Sequence, residues 1–184
     1  MKPEALAAPA ASPDDAAFTA LYEREFAYVW HSLRRLGVAA RDLPDVTHDV
    51  FVTVYRRMHT YDPARPVRPW LFGVAFRVAS DHRGLARNAR EQVTERVAER
   101  PDDARSAEDQ LSDAEERALV REALDDLDLD RRAVLVAHDI DEQPVAEMAR
   151  ALDLPHPTLY SRLRSARELF VAALRRARAR RGDR

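Results

Sequence analysis

Residues 143–170, QPVAEMARALDLPHPTLYSRLRSARELF, constrain the fold more than any other part of the sequence. Apolar residues recur there at helical spacing in two short runs. The first run is Val145, Met148, Ala149 and Leu152, and the second is Leu159, Leu163, Ala166 and Phe170. Between the runs the pattern breaks, and Pro157 can open the second helix because its missing N–H costs nothing in a first turn. The sequence therefore predicts two short helices joined by a tight turn.

The polar side of the second predicted helix is basic and rich in hydroxyl groups. We call this side the recognition face, and it comprises Thr158, Tyr160, Ser161, Arg162, Arg164, Ser165 and Arg167. Two short helices with such a face are typical of a helix-turn-helix, whose second helix enters the DNA major groove. Thr, Ser and Arg side chains near the start of that helix can reach base edges. The alternative is an ordinary helical hairpin with solvated arginines.

Composition excludes several classes of protein. The chain has no cysteine, so it has neither disulfides nor cysteine-ligated metal, and its 6 histidines show no metal-ligand spacing. No glycine-rich phosphate loop is present, and no apolar run approaches the ~20 residues of a membrane span. The N-terminal residues do not resemble a secretory signal. We therefore expect a cytoplasmic protein that is not an enzyme, needs no cofactor and does not insert into membranes.

Charge is strongly segregated along the chain although the net charge is only -2. Residues 143–184 carry 10 basic and 4 acidic side chains, whereas residues 91–142 carry 7 basic and 18 acidic ones. A basic end beside an acidic middle fits a local DNA contact. The acidic segment should also weaken DNA binding by the free protein.

The first half of the chain predicts three helices. Apolar residues at helical spacing mark the first up to Gly37 and the second from about Asp42. On the outer side of the second helix lie Asp45, His48 and Asp49, which we call the docking face. Acidic groups near a helix N-terminus are stabilised by the helix dipole, so a purely structural role competes with partner binding.

A proline-rich loop, HTYDPARPVRP, precedes the third helix, which is predicted to start near Trp70. The loop and helix together carry charged residues on either side of one aromatic side chain. We call this set the melting surface, and it comprises Asp62, Arg65, Arg68, Trp70, Arg77, Asp81 and Arg83. An aromatic ring beside arginines suits single-stranded nucleic acid, since bases stack on rings and phosphates meet cations. The alternative is that Trp70 is simply a core anchor.

Three stretches, taken in this order, resemble the extracytoplasmic-function (ECF) group of bacterial sigma factors. DVTHDVFVTVYRR resembles the region 2 helix that docks on RNA polymerase, and PWLFGVAFRVASDHR resembles the pattern that melts and reads the −10 promoter element. Residues 124–170 resemble region 4, which reads the −35 element. The chain departs from the family pattern at Gly73, where a basic residue is common, and also at Phe76, Pro157 and Tyr160.

The resemblance implies a fold and a set of partners. We expect an all-α fold with two small helical domains joined by a flexible linker, which together act as a promoter-recognising subunit of RNA polymerase. The partners implied are core RNA polymerase, promoter DNA and an anti-sigma factor. The docking face would bind polymerase, the melting surface the −10 strand and the recognition face the −35 duplex. The boundaries we predict are a disordered tail at 1–13, region 2 at 14–88, the linker at 89–112, region 4 at 113–178 and a basic tail at 179–184.

Two other classes of function remain compatible with parts of the sequence. One is a helix-turn-helix regulator that binds duplex DNA without polymerase. The other is a helical adaptor that holds only a protein partner. Neither accounts for the melting surface and the basic C-terminal end together, and a gel shift with and without core polymerase separates the three.

Overall fold

The computed structural model describes residues 13–90 and 107–182, and all regular secondary structure in these two ranges is helical. The helices are α1 (Pro13–Arg35), α2 (Leu43–Arg57), α3 (Val67–Arg90), α4 (Ala107–Asp125), α5 (Leu129–Leu135), α6 (Val145–Ala151) and α7 (His156–Gly182). A 3₁₀ turn (Met58–Thr60) follows α2, and a π-helical turn (Val136–Ile140) continues α5. The all-α fold class predicted from the sequence is confirmed.

Helices α1, α2 and α3 pack against one another and form the first bundle. Their apolar stripes supply its core, including Leu33, Val50, Val54 and Leu71, which are fully buried. Gly37 ends the first segment with a φ of 86°, a left-handed conformation that favours glycine. This bundle carries the docking face and the melting surface.

Helices α4 to α7 form the second bundle, in which α4 and α5 both pack on the long α7. The carboxylate of Asp128 caps α5 by accepting a hydrogen bond from the backbone N–H of Arg131 at 2.9 Å. Asp153 follows α6 with a φ of 54°, and the N–H of Leu154 donates to the carbonyl of Ala149 at 2.8 Å. This left-handed C-cap turns the chain sharply into α7. The predicted helix-turn-helix is therefore formed by α6 and α7.

The two bundles pack together through α3 and α6 and share one continuous apolar core. Five successive residues of α3, from Leu71 to Ala75, are all buried, as are all six from Arg132 to Ala137. A helix with residues buried all round its axis is covered on both sides. Helix α3 is therefore enclosed between α1 and α2 on one side and α6 on the other.

Helix boundaries differ from the predicted ones in two places. Helix α3 starts at Val67, three residues earlier than predicted, so Pro69 lies in its first turn, where no intrahelical N–H is needed. Helices α3 and α4 extend into the range 89–112 that was predicted as linker, and α7 includes residues 179–182 of the predicted tail. Residues 1–12, 91–106 and 183–184 lie outside the described residues. The predicted domain boundaries stay predictions.

Candidate functional site

The docking face lies on the exposed side of α2, within its first two turns. Asp45, His48 and Asp49 are all exposed, while Val46 and Val50 on the opposite side are buried in the first bundle. Within residues 13–90 and 107–182, none of these three side chains makes a hydrogen bond or an ion pair. Their charge and hydrogen-bonding capacity are therefore directed to solvent, where a protein partner can meet them.

The loop before α3 is held in shape by its own side chains. Asp62 accepts hydrogen bonds from the backbone N–H of Ala64 at 3.0 Å and from Nε of Arg65 at 2.9 Å. These two bonds, led by the backbone one, lower the pKa of Asp62, so its carboxylate stays charged into acid. The Tyr61 hydroxyl donates to the carbonyl of Arg65 at 2.8 Å. Asp62 and Arg65 thus face solvent as a preformed pair rather than as independent charges.

Arg68 has partners on α1 that the sequence did not indicate. Its Nε lies 3.0 Å from the carboxylate of Glu25, and its guanidinium lies 5.0 Å from the ring centroid of Tyr28. The Glu25 side chain is buried, and Arg24 pairs with its other oxygen at 2.9 Å. Part of the Arg68 charge is therefore used to neutralise a buried acid, although the side chain remains largely exposed. Glu25 had one sequence signal, because it interrupts the apolar stripe between Leu21 and Val29.

Trp70 is half-buried, and its ring is tilted by 39° against the Tyr61 ring at a centroid distance of 5.2 Å. It borders a cavity of about 310 Å³ that lies between the proline-rich loop and α6. Glu147, Arg150 and Ala151 of α6 line the opposite wall. Trp70 therefore packs against the core, as a core anchor would, and also borders an open space, as a ring that binds a base would.

The rest of the melting surface divides between solvent and the second bundle. Asp81 is exposed and has no hydrogen bond or ion pair among the described residues. Arg77 donates from Nη2 to the carbonyl of Ala151 at 3.1 Å, which places it against α6. Arg83 is half-buried, and its Nη2 lies close to Gly37. The structure therefore does not gather all seven residues on one open surface.

On the recognition face, three exposed side chains have no partner on another helix among the described residues. Tyr160 is 56% exposed. Ser161 is exposed and donates to the carbonyl of Thr158 at 2.9 Å, and Arg164 forms an exposed pair with Glu168 at 3.1 Å. Thr158 is half-buried at the start of the helix. These four positions occupy the first turns of α7, where a recognition helix reaches base edges.

The other three members of the recognition face are held by α5 and the π-helical turn. Ser165 accepts a hydrogen bond from Nε of Arg131 at 3.1 Å, and Arg162 lies 3.2 Å from Asp130. Arg167 donates from Nε to Asp139 at 2.8 Å. This bond and the neighbouring His138 lower the pKa of Asp139. These residues position α7, and any DNA contact by the two arginines has to compete with an internal acid.

A polar cluster that the sequence did not predict joins the two bundles. The Tyr28 hydroxyl donates to Asp141 Oδ2 at 3.0 Å, Arg35 lies 2.7 Å from Asp141 Oδ1, and Gln143 Nε2 donates to the Tyr28 hydroxyl at 2.7 Å. The Asp141 side chain is only 6% exposed. Burial raises the pKa of Asp141 despite the opposing effects of Tyr28 and Arg35. No local pattern could have identified this cluster, because it joins two segments that lie more than 100 residues apart in sequence.

Arg132 is a second buried polar group at the boundary between the bundles. Its side chain is 1% exposed and pairs with Asp125 at 2.9 Å, and its Nη1 lies against Gly37 of the first bundle. Burial lowers the pKa of its guanidinium, and Arg83 adds to this effect. The Nε of Arg132 has no hydrogen-bond partner within the part of the chain that the structure describes.

Neither a membrane-spanning helix nor a metal-binding cluster is found in the described ranges. No helix there is long and apolar enough to cross a bilayer. No three His, Asp or Glu side chains among residues 13–90 and 107–182 are placed to hold a metal ion.

Comparison with known proteins assigns both bundles. The family model for sigma-70 region 2 matches residues 21–90, and the model for sigma-70 region 4 matches residues 117–170. The first match includes the docking face and the melting surface, and the second includes the recognition face. The two matches therefore cover all three surfaces in the order predicted.

Full-length relatives and solved structures agree with this assignment. The chain is 31% identical over 179 residues to the sigma factor CnrH of Cupriavidus metallidurans, covering 92% of each protein. It is 30% identical over 167 residues to the ECF sigma factor SigL of Mycobacterium tuberculosis, covering 90% of this chain and 91% of SigL.

Two solved structures show the same fold. CnrH in complex with the cytosolic domain of CnrY superposes with a TM-score of 0.61 at 26% identity, covering 89% of this chain and 91% of CnrH. RpoE from Bartonella quintana, in complex with the anti-sigma factor NepR, gives a TM-score of 0.68 at 17% identity, covering 86% of this chain and 97% of RpoE. The chain belongs to the ECF family of RNA polymerase sigma factors.

Proposed function

We propose that three separate surfaces divide the work of this transcription initiation factor, which binds core RNA polymerase and recognises promoter DNA. The docking face on α2 holds polymerase, the melting surface binds the separated −10 strand, and the recognition face reads the −35 duplex. The chain acts as a subunit and has no catalytic activity of its own. Its place of action is the cytoplasm, because that is where its partner, core polymerase, transcribes.

Polymerase docking is assigned to Asp45, His48 and Asp49 because they are exposed on α2 and unpaired among residues 13–90 and 107–182. Two carboxylates on one exposed helix face offer charge complementarity to a basic partner. Val46 and Val50 anchor the same helix in the core, so the face is presented with little conformational freedom.

Strand binding is assigned to the loop and the start of α3. An aromatic ring next to exposed cations binds single strands by stacking and by phosphate contacts. Trp70, Arg65 and Arg68 meet that description, and Asp62 or Asp81 can accept a hydrogen bond from a base edge. Unstacking a base costs a few kcal/mol, so the surface has to offset that cost once the strands part.

Duplex reading is the assignment with the strongest support, and one observation carries it. The left-handed turn at Asp153 directs α7 away from α6, so that its first turns present Tyr160, Ser161 and Arg164 to solvent. This is the geometry in which a recognition helix enters the major groove. Arg164 can contact either a phosphate or a guanine edge.

Regulation by an anti-sigma factor is proposed by extension from the relatives. CnrH is solved with the cytosolic domain of CnrY, and RpoE with the anti-sigma factor NepR. We extend to this chain the same kind of partner, a protein that binds the sigma factor.

The experiment that tests the proposed function is promoter selection with reconstituted holoenzyme. Core polymerase loaded with this chain should enrich a two-element promoter from a random library and transcribe from it. A gel shift with the chain alone serves as the comparison, and it should show much weaker binding. Strong binding of the selected DNA by the chain alone would favour a polymerase-independent regulator, and no enrichment of DNA would favour a protein adaptor.

A further inference from the structure

We propose that α6 is an autoinhibitory cover over the melting surface, and that Gly73 is the residue that lets α6 close. The inference rests on the proposed strand-binding role of that surface. It concerns one backbone contact between the two bundles, at which Gly73 of α3 meets Ala151 at the end of α6.

The contact at Gly73 has no room for a side chain. A Cβ atom added there would lie 2.4 Å from the carbonyl oxygen of Ala151, 3.0 Å from its carbonyl carbon and 3.2 Å from its Cα. All three atoms belong to the backbone, which cannot move aside as a flexible side chain can. Gly73 is buried, although a glycine inside a helix lowers helix stability. The position therefore serves close packing of α6 rather than the stability of α3.

Arg77, one turn further along α3, holds the same carbonyl group. Its Nη2 donates to the Ala151 oxygen at 3.1 Å. Ala151 is the last residue of α6, and the residue four positions later is Pro155, which has no N–H to donate. The side chain of Arg77 thus supplies the donor that the helix end lacks, and its positive charge is favourable at a helix C-terminus.

The same closure brings α6 over other members of the melting surface. Arg65 lies 3.9 Å from Glu147, and Trp70 shares its cavity with Glu147, Arg150 and Ala151. An arginine that holds an α6 carbonyl and a ring that faces an α6 wall cannot receive a DNA strand in the same positions. In the free chain α6 occupies the space in which the strand would lie, so the bundles have to separate before the strand binds.

The decisive variant is Gly73→Ala, and Gly84→Ala is its matched control. Both replace a glycine of α3 with alanine and raise helix propensity alike. A Cβ at Gly84 meets no atom of the described residues within 4 Å, so only the change at Gly73 forces α6 away. A second opening variant, Tyr28→Phe, removes the hydroxyl that joins Asp141 and Gln143 across the boundary and keeps the aromatic ring that contacts Arg68.

Two measurements on the full chain without polymerase test the proposal. One is the distance between fluorophores on cysteines introduced at Arg56 and Arg175, which are exposed on different bundles in a chain that has no native cysteine. The other is the affinity for a fluorescent oligothymidylate. Gly73→Ala should lengthen the distance and bind the oligonucleotide about ten- to hundredfold more tightly, since affinity rises with the fraction of open molecules. Tyr28→Phe should change both in the same direction and Gly84→Ala neither.

Three results would overturn the proposal. The distance could stay at the wild-type value in Gly73→Ala, it could lengthen without any gain in oligonucleotide affinity, or Gly84→Ala could match Gly73→Ala. Circular dichroism checks that the variants remain helical. Transcription by wild-type holoenzyme is measured in parallel. If it is absent, the proposed function is wrong, and if it is present while the distances do not respond, only the autoinhibitory cover is wrong.

Discussion

The hydroxyl of Tyr28 on α1 donates to the carboxylate of Asp141, which follows the π-helical turn of the second bundle, at 3.0 Å. Arg35 neutralises the same carboxylate from α1, and Gln143 donates to the Tyr28 hydroxyl. The bond joins two residues 113 positions apart and links the bundle that carries the melting surface to the bundle that carries the recognition face. The packing of the two bundles is therefore held by specific polar geometry as well as by apolar contact.

Asp141 predicts an unusual pH dependence of stability. Burial raises the pKa of Asp141 above the ordinary carboxyl value of 3.8, so the packed chain binds a proton more tightly than an unfolded chain does. The stabilisation from this group is complete below 3.8 and is lost as pH rises through the raised pKa. Asparagine cannot titrate, so the free energy of unfolding of the wild type, measured relative to Asp141→Asn in urea, should decrease over that window.

The control for this prediction is Asp45→Asn, which makes the same chemical change at an exposed position that has no partner among the described residues. A pH slope that Asp45→Asn shows as well would belong to the chemical change itself and would not count toward Asp141. If the difference between wild type and Asp141→Asn is constant or grows with pH, the packed chain does not raise the pKa of Asp141.

Charge reversal on the docking face should weaken polymerase binding without unfolding the chain. Asp45→Arg and Asp49→Arg each replace an exposed carboxylate with a cation, and like charges brought together at an interface cost on the order of several kcal/mol. The affinity for core polymerase, measured by fluorescence anisotropy, should fall at least about tenfold for each change. Glu23→Arg, at an exposed position of α1, is the matched reversal and should leave the affinity unchanged. Equal losses in all three variants would assign the effect to net charge instead.

Arg77→Ala should impair promoter opening more than promoter binding. In the free chain Arg77 holds the carbonyl of Ala151, and separation of the bundles frees its guanidinium for a phosphate of the single strand. In holoenzyme the variant should therefore reduce permanganate reactivity of the melted region while the gel shift of the closed complex is retained. Arg56→Ala, an exposed arginine of α2 outside the melting surface, is the control. Equal losses of open and closed complex would contradict a role in melting.

The sequence predicted the surfaces better than it predicted the contacts within them. Helical periodicity placed the docking face on the outer side of α2 and the recognition face on α7, because burial of an apolar stripe determines which side chains are left exposed. Arg68 and Glu25 are 43 residues apart, and Ser165 and Arg131 are 34 apart. Such pairs depend on how the helices pack, and periodicity carries no information about packing partners.

Gly73 shows the same limit at a single position. In sequence it is only a departure from a family pattern that often has a basic residue there. Its role depends on the carbonyl of Ala151, which lies 78 residues later and meets α3 only after the two bundles have packed. Pro69 shows the converse. Its place in the proline-rich loop predicted a start for α3 near Trp70, whereas the helix starts at Val67. The residue lies in the first turn, where proline is tolerated.

Two substitutions on the recognition face should separate DNA contact from helix positioning. Arg164→Ala removes an exposed cation, so holoenzyme should bind −35 DNA more weakly, with a salt slope reduced by about one if the contact is to a phosphate. Ser165→Ala removes the acceptor of the Arg131 bond and should cost about 1 kcal/mol of stability. Its salt slope should remain that of the wild type. If Ser165→Ala reduces the salt slope and Arg164→Ala does not, the assignment is wrong, and Ser165 rather than Arg164 lies on the side of α7 that contacts DNA.

Binding to core polymerase should separate the two bundles. In the family the two promoter elements lie about two helical turns apart, or ~70 Å at ~34–36 Å per turn. In the free chain the Arg77 to Ala151 hydrogen bond holds the corresponding bundles in direct contact. One molecule cannot touch both elements in that arrangement, so polymerase has to hold the bundles apart. Once one bundle is bound to its promoter element, the other bundle is already positioned near the second element, which raises the avidity for DNA. Fluorophores at Arg56 and Arg175 should therefore move apart when core polymerase is added. Adding the promoter DNA alone should leave their distance unchanged. A distance that stays short in a holoenzyme that transcribes would show that this chain reads its promoter without opening.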